Sequence, residues 1–178
     1  MHSRQTIAKI ISGGQTGADR GGLDAAIEAK VRHGGWCPKG RKAEDGVIPA
    51  KYRLVEHESA DYPARTEANV IDAHCTVVFT FGKPTGGSKK TIALADEYQR
   101  PSLCVDLTAV TNEAAAMVVL EWLSPGGLMC PGMASPQPNP VLNVAGSRES
   151  EAPGIQQRVR DVMLMVFKPP FYPPAGAE

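Results

Sequence analysis

Two strand–loop–helix units, each with a glycine-rich loop, constrain the fold of this chain more than any other feature of its sequence. Residues 6–12 form a β-branched and apolar run, and a first loop over residues 13–22 (GGQTGADRGG) follows it at once. Residues 76–81 form a second such run, which leads into a second loop over residues 82–90 (GKPTGGSKK). A short apolar run that stops at glycines is typical of a buried central strand. The two units therefore predict two strands of one sheet.

Helical periodicity alternates with strand-like runs along the rest of the chain. Apolar residues recur at three- and four-residue spacing in five segments, which predicts amphipathic helices. These segments are residues 19–30, 65–74, 91–99, 112–123 and a last one that carries Ile155, Val159, Val162, Met163 and Val166. Further strands are predicted at residues 102–107 and 141–145. The alternation predicts an α/β fold with a mostly parallel sheet and helices on both faces.

The length of 178 residues suits one domain, which we expect to span residues 1–167. Residues 34–63 and 124–140 are rich in Gly and Pro and predict long loops, with a short strand at residues 52–56 in the first of them. Residues 168–178 contain four prolines and predict an extended or flexible tail.

Charge and cysteine usage limit the partners and the compartment. Lys plus Arg equals Asp plus Glu at 19 each, so no bulk field would attract nucleic acid or a membrane, and neither is expected as a partner. The four cysteines contain no Cys-x-x-Cys pair and favour reduced, buried thiols over a disulfide framework or a zinc site. The first apolar stretch is too short for a signal peptide, so the expected location is the cytoplasm.

The first loop predicts an anion site. It joins a strand to a helix, where backbone N–H groups and the positive end of the helix point outward. Gln15, Thr16 and Arg20 add three side-chain donors. The loop lacks both the Gly-x-Gly-x-x-Gly spacing and a Walker A ending. The alternative is structural: the glycines permit a tight turn, and Asp19 caps the helix.

The second loop has the same placement and a similar composition. Its glycines, hydroxyls and lysines suit a phosphate, although it reads Gly-Ser-Lys where a Walker A loop has Gly-Lys-Ser, so ATPase activity is not expected. Ser88 could instead only cap a helix. Because ligands of open α/β sheets bind at the carboxyl ends of the strands, we expect the two loops to converge there.

Two further segments carry cations. A third loop over residues 146–150 (GSRES) contributes Arg148, and residues 36–46 (WCPKGRKAEDG) contribute Lys39 and Arg41 beside an aromatic ring. A helix cap explains the third loop equally well, and solvated charge on a mobile loop explains residues 36–46 equally well. The histidines show no metal-ligand spacing, so no protein-ligated metal is predicted.

Several of these segments resemble the molybdenum carrier (molybdenum cofactor carrier) protein family. The resemblance rests on ISGGQTGADRGGLDAA, HGGWCPKGR, PTGGS, Arg65-Thr-Glu and NVAGSRES, and it spans residue 7 to about residue 167. It implies a Rossmann-like three-layer αβα sandwich, a homo-oligomer that is often a tetramer, and a pocket for molybdenum cofactor or molybdate at the strand ends. The residues it implies for a phosphate-bearing ligand are Gly13, Gly14, Gln15, Thr16, Gly17, Arg20, Lys39, Arg41, Thr85, Gly86, Gly87, Ser88 and Arg148.

A second interpretation is an enzyme. The family is similar to the cytokinin-activating phosphoribohydrolases, but their loop has a glutamate where this chain has Lys90-Thr91-Ile92. Asp19 or Glu67 could replace that glutamate as a general acid or a ribose-binding group. The chain would then bind or cleave a nucleotide such as AMP, NAD or ADP-ribose, as an N-glycosidase-type hydrolase. The first interpretation remains a non-catalytic carrier.

Overall fold

The computed structural model describes residues 7–124 and 139–168. Its helices are α1 (Ala18–Glu28), α2 (Tyr62–Asp72), α3 (Gly86–Glu97), α4 (Asn112–Leu123) and α5 (Ile155–Phe167). Its strands are β1 (Lys9–Ile11), β2 (His33–Gly34), β3 (Trp36–Cys37), β4 (Lys42–Ala43), β5 (Gly46–Val47), β6 (Val55–Glu56), β7 (Cys75–Thr80), β8 (Ser102–Asp106) and β9 (Val141–Gly146).

Five of the strands form one parallel sheet in the order β2-β1-β9-β7-β8. The last strand of the described residues, β9, lies between β1 and β7: Leu142 pairs with Ile10 on one side and with Cys75 on the other. Every residue of β7 is buried, as expected for a central strand covered on both faces.

Helices cover both faces of this sheet. Apolar side chains of α1, α4 and α5 share one buried cluster with the sheet, which includes Phe79 and Val144. Residues of α2 and α3 pack together in a separate cluster of Val70, Leu94 and Ala95. The predicted fold class, a Rossmann-like αβα sandwich with a parallel sheet, is confirmed.

Several predicted boundaries are wrong for physical reasons. Helix α3 begins at Gly86, five residues before the predicted start, because glycines in a first helical turn cost little when tertiary packing holds the helix. Helix α2 begins at Tyr62, where Pro63 occupies a first-turn position that requires no N–H donor. In the long loop, β4 and β5 form an antiparallel hairpin that the sequence did not predict, whereas the strand expected at residues 52–56 is present as β6.

Some predictions fall outside the described residues. Residues 125–138 and 169–178 hold nearly all of the predicted crossing loop and of the proline-rich tail, so these remain predictions, as do the domain limits. Cys37 and Cys75 are buried as expected, but Cys104 is exposed on β8. Cys130 is not among the described residues. Within residues 7–124 and 139–168, no helix is long and apolar enough to cross a membrane.

Candidate functional site

A cavity of about 280 Å³ opens where β1, β9 and β7 end. Because these strands are neighbours and parallel, the first, third and second loops meet at one edge of the sheet. The residues that line the cavity include seven of the predicted set: Gly13, Gln15, Asp19, Gly86, Gly87, Ser88 and Arg148. The structure thus brings together part of each loop.

Gln15 is held rigidly at the cavity wall. Its side-chain oxygen accepts the backbone N–H groups of Thr16 and Glu44, both at 3.0 Å, which fixes the orientation of the amide. The side chain is buried, and its Nε2 donor has no hydrogen-bond partner within the described part of the chain. A buried donor without a partner costs about 1–3 kcal/mol, so this site favours a ligand that accepts hydrogen bonds.

An ion pair between Asp19 and Arg65 forms another part of the wall. Arg65 Nη1 lies 3.2 Å from Asp19 Oδ2, which also accepts the N–H of Gln15 at 3.2 Å. The side chain of Asp19 is buried and that of Arg65 is 13% exposed, and Arg65 Nε has no partner among the described residues. A Cβ on Gly13 would lie 1.3 Å from Arg65 Nη1, so glycine at this position lets the arginine cross the loop.

Tyr62 gathers two arginines at the cavity. The guanidinium carbon of Arg148 lies 5.2 Å from the centre of the Tyr62 ring, and that of Arg65 lies 5.9 Å from it. Such contacts hold a cation in place without neutralising it. Arg148 therefore keeps its full positive charge for an anionic ligand, whereas Arg65 shares its charge with Asp19.

The amino terminus of α3 faces the same cavity. The first N–H groups of a helix have no partner within the helix and carry its positive dipole end. Gly86 and Gly87 supply this terminus, and an added Cβ on either would meet no atom within 4 Å. The positive φ of 45° favours glycine at Gly86, whereas neither packing nor backbone conformation requires glycine at Gly87, where close approach of a ligand to the backbone would.

A family model, described as the circularly permutated YpsA SLOG family, matches residues 10–167. The chain belongs to this family. A crystal structure of the "putative molybdenum carrier protein" of Syntrophus aciditrophicus SB is 41% identical and has a TM-score of 0.81, over 92% of this chain and 96% of that one. No protein of curated function matches the chain. The resemblance inferred from the loops is confirmed.

In this SLOG-family chain, Thr16 and Arg20 do not line the cavity. The Thr16 hydroxyl donates to Glu44, and Arg20 forms a two-point pair with Asp45 at 2.6 and 2.7 Å. Both acids lie in the turn of the unexpected β4–β5 hairpin. These two predicted ligand donors therefore tie the first loop to the hairpin.

Other predicted residues also lie outside the lining. Arg41 donates to four backbone carbonyl groups of its own loop, and Glu67 accepts the hydroxyl of Tyr98. Lys39 is exposed, and Thr85 precedes the first residue of α3. Gly14 and Gly17 have positive φ angles and pack closely against neighbouring atoms, so their requirement for glycine is steric.

Sequence reasoning missed several residues of the wall. Tyr62, Arg65, Lys90 and Asn143 line the cavity but were not in the predicted set. Arg65 carried a signal, since it lies in one of the segments of the family resemblance. Asn143 also lies in such a segment, NVAGSRES, but a polar residue in a buried strand gives no indication of which face it occupies. The described residues contain no cluster of His, Cys, Asp or Glu that could hold a metal ion.

The buried Asp19 carboxyl gives a testable pH dependence. Burial raises its pKa above the ordinary value of 3.8, and Arg65 acts in the opposite direction. The folded state therefore keeps the proton at pH values where the unfolded chain has released it. The stability of the native protein relative to Asp19→Asn is expected to be highest below the ordinary pKa and to fall as pH rises through the raised one. Urea unfolding of both proteins between about pH 4 and about pH 8 measures this difference; a difference that grows with pH would contradict it.

Proposed function

We propose that this protein is a non-catalytic carrier that binds molybdenum cofactor or molybdate in the cavity at the strand ends. The placement of Arg65 and Arg148 together with the amino terminus of α3 around one cavity carries the proposal. Backbone N–H groups and guanidinium groups are the donors that phosphate and metal oxyanions prefer. The name of the related protein from Syntrophus aciditrophicus points to the same class of ligand.

The size of the cavity favours the cofactor over the bare oxyanion. Pockets for organic ligands begin at roughly 300 Å³, close to the volume of about 280 Å³ found here. Gly86, Gly87 and Ser88 would hold a terminal phosphate, and Arg65, Arg148 and Gln15 would hold the remaining anionic groups. The unpaired donors of Gln15 and Arg65 fit this ligand, because each lacks an acceptor among the described residues. The bound cofactor would supply the dithiolene-held metal, so the protein needs no metal ligands of its own.

A nucleotide-binding or nucleotide-cleaving enzyme is the second candidate. Asp19 is the observation that favours it: the cavity wall includes a buried carboxyl with a raised pKa, a common property of general acids. Glu67 is bonded to Tyr98 and does not line the cavity, which leaves Asp19 as the candidate. The substrates would be AMP, NAD or ADP-ribose.

One set of measurements separates the two candidates. Protein purified from cells that make molybdenum cofactor is analysed for bound molybdenum by mass spectrometry and for pterin by fluorescence after oxidation. Titration calorimetry with sodium molybdate tests the bare oxyanion. Incubation with AMP, NAD and ADP-ribose, followed by chromatography, tests for released base. Bound pterin without base release supports the carrier; base release that Asp19→Asn abolishes supports the enzyme and overturns the carrier.

A larger side chain at the amino terminus of α3 should fill part of the cavity and so reduce ligand binding without reducing the stability of the fold. Gly87→Leu places a side chain in open space at the cavity wall, so retention of pterin and molybdenum is expected to fall at least about tenfold. Stability is expected to stay within about 1 kcal/mol of the native value, because replacing a helical glycine removes an entropic cost.

Ala93→Leu is the matched control, since Ala93 is exposed on the same helix and does not line the cavity. It should leave retention unchanged. Equal retention by both variants would place the ligand elsewhere.

The resemblance also implies a homo-oligomer, which we keep as part of the proposal. Light scattering coupled to size-exclusion chromatography measures the mass in solution, and a monomer would remove this part.

A further inference from the structure

A second concave surface lies at the amino-terminal ends of β1 and β2. It has a volume of about 500 Å³ and shares no lining residue with the cavity. We call it the basic groove; its lining consists of Lys9, Ile27, Lys30, Val31, Arg32, His33, Lys51 and Arg53. Lys9 is the first residue of β1, and Arg32 immediately precedes β2, so the groove lies at the edge of the sheet opposite the cavity.

The basic groove concentrates positive charge in a chain whose charges balance overall. Five of its eight residues are Lys or Arg, and none is acidic. Lys51 pairs with Asp24 at 2.8 Å, whereas the other four cations take part in none of the ion pairs formed among residues 7–124 and 139–168. Burial lowers the pKa of His33, and nearby Arg53 and Lys9 act in the same direction, so the groove disfavours a further positive charge on this imidazole.

Ordinary structural causes account for only part of this charge. Cations near the carboxyl end of α1 interact favourably with its dipole, which explains Lys30 and Arg32. They do not explain Lys9, which runs across Gly34 so closely that a Cβ there would lie 2.9 Å from its Nζ. Nor do they explain Arg53, which comes from a different segment. Three separate segments bring cations to one place.

The lining also limits the class of ligand. Proteins that bind single-stranded nucleic acid present aromatic side chains on which successive bases stack, whereas the groove lining contains no Phe, Tyr or Trp and a single histidine ring, His33. A small polyphosphate would use the cations alone. The groove also contains Ile27, which is 38% exposed, and Val31. An extended peptide with carboxylates and an apolar side chain uses both kinds of residue.

We infer that the basic groove binds an acidic segment of a partner protein, with its carboxylates on Lys30, Arg32 and Arg53 and an apolar side chain against Ile27. Guanidinium groups bind carboxylates through two parallel hydrogen bonds, which adds geometric specificity to the charge attraction. This surface is independent of the ligand in the cavity.

The test uses fluorescence anisotropy of the full chain with a fluorescein-labelled peptide of alternating glutamate and leucine. Arg32→Glu/Arg53→Glu is expected to weaken binding at least about tenfold relative to the native protein. Lys42→Glu/Lys168→Glu changes the net charge equally at exposed positions outside both the groove and the cavity and should bind like the native protein. Raising NaCl from about 50 to about 300 mM should weaken binding, since exposed charges are screened. Circular dichroism of each variant checks its fold.

Two further probes set the outcomes that would overturn the proposal. Labelled oligothymidylate and inorganic triphosphate are titrated in the same way. The variant Ile27→Ser tests the apolar contact: it leaves the charge unchanged and is expected to weaken peptide binding. The acidic-segment assignment fails if no peptide binding is seen at low salt or if both charge variants bind equally. It also fails if either phosphate probe binds the groove more tightly than the peptide does.

Discussion

Replacing Arg65 with alanine is expected to abolish ligand retention and to lower the free energy of unfolding by about 3 kcal/mol. The side chains of Arg65 and Asp19 are 13% and 6% exposed, so the substitution leaves a buried carboxylate without its cation. Removing one member of a buried pair costs far more than the net value of the pair, because the remaining charge stays desolvated. Arg65 also provides one of the two guanidinium groups at the cavity.

Denaturant unfolding and cofactor retention measure the two effects separately. The loss of stability should be larger near about pH 8 than near about pH 5, because without Arg65 the pKa of Asp19 rises further and protonation relieves the buried charge at low pH. Arg148→Ala is the comparator: Arg148 lines the cavity and contacts Tyr62 but has no ion pair among the described residues. It should lower retention with little change in stability. Equal losses of stability in Arg65→Ala and Arg148→Ala would contradict the prediction, because they would show that the ion pair with Asp19 adds no stability of its own.

Replacing Gly17 with alanine is expected to destabilise the protein by about 3 kcal/mol. Gly17 has a φ of 81° and a ψ of −131°, a backbone region that side chains disfavour. An added Cβ would lie 2.3 Å from the carbonyl oxygen of Ser147 and 2.7 Å from the backbone nitrogen of Glu149. These are backbone atoms of the third loop, so they cannot rotate away, and the first and third loops would have to separate.

Gly87→Ala is the matched control for this steric argument. Gly87 also belongs to a glycine-rich loop, but it meets no atom within 4 Å and its φ is not positive. Alanine there should leave stability unchanged or raise it by up to about 1 kcal/mol. Thermal and urea unfolding of both variants give the comparison. Similar losses of stability in Gly17→Ala and Gly87→Ala would contradict the steric argument. They would mean that these positions need glycine for its backbone flexibility and not because neighbouring atoms leave no room for a Cβ.

The sequence predicted the sheet and the helices well where one local signal dominated. Helix α4 spans the predicted residues 112–123, and the five apolar positions expected on one face of α5 are all buried. The hairpin of β4 and β5 was missed, since its strands are two residues long and carry no alternating pattern. The amphipathic pattern of residues 19–30 predicts one buried apolar stripe, but Ile27 within it is 38% exposed, because the sheet ends beside it at the short strand β2.

The site was predicted less completely, because polar residues in loops choose partners that are distant in sequence. Arg20 looked like a ligand donor, yet it pairs with Asp45 of the hairpin. Composition alone gave no means of assigning that acid to it. Asp19 illustrates the opposite case: helix capping and catalysis were both considered, and the structure pairs it with Arg65 from another helix. The sequence was enough to predict where the glycine-rich loops lie along the chain. The ion pairs could be assigned only from the folded structure, because their partners are distant in sequence.

The central position of β9 has a consequence for how the protein is made. Chains fold as they emerge from the ribosome, beginning with the amino-terminal residues. Until residue 141 has been synthesised, β1 and β7 lack the neighbour that lies between them, and both present unpaired strand edges that favour aggregation. Both glycine-rich loops are therefore synthesised before β9, but they come together only once β9 has been made. A messenger RNA truncated before β9 should yield an insoluble product, and ligand capture should begin only after β9 has been synthesised.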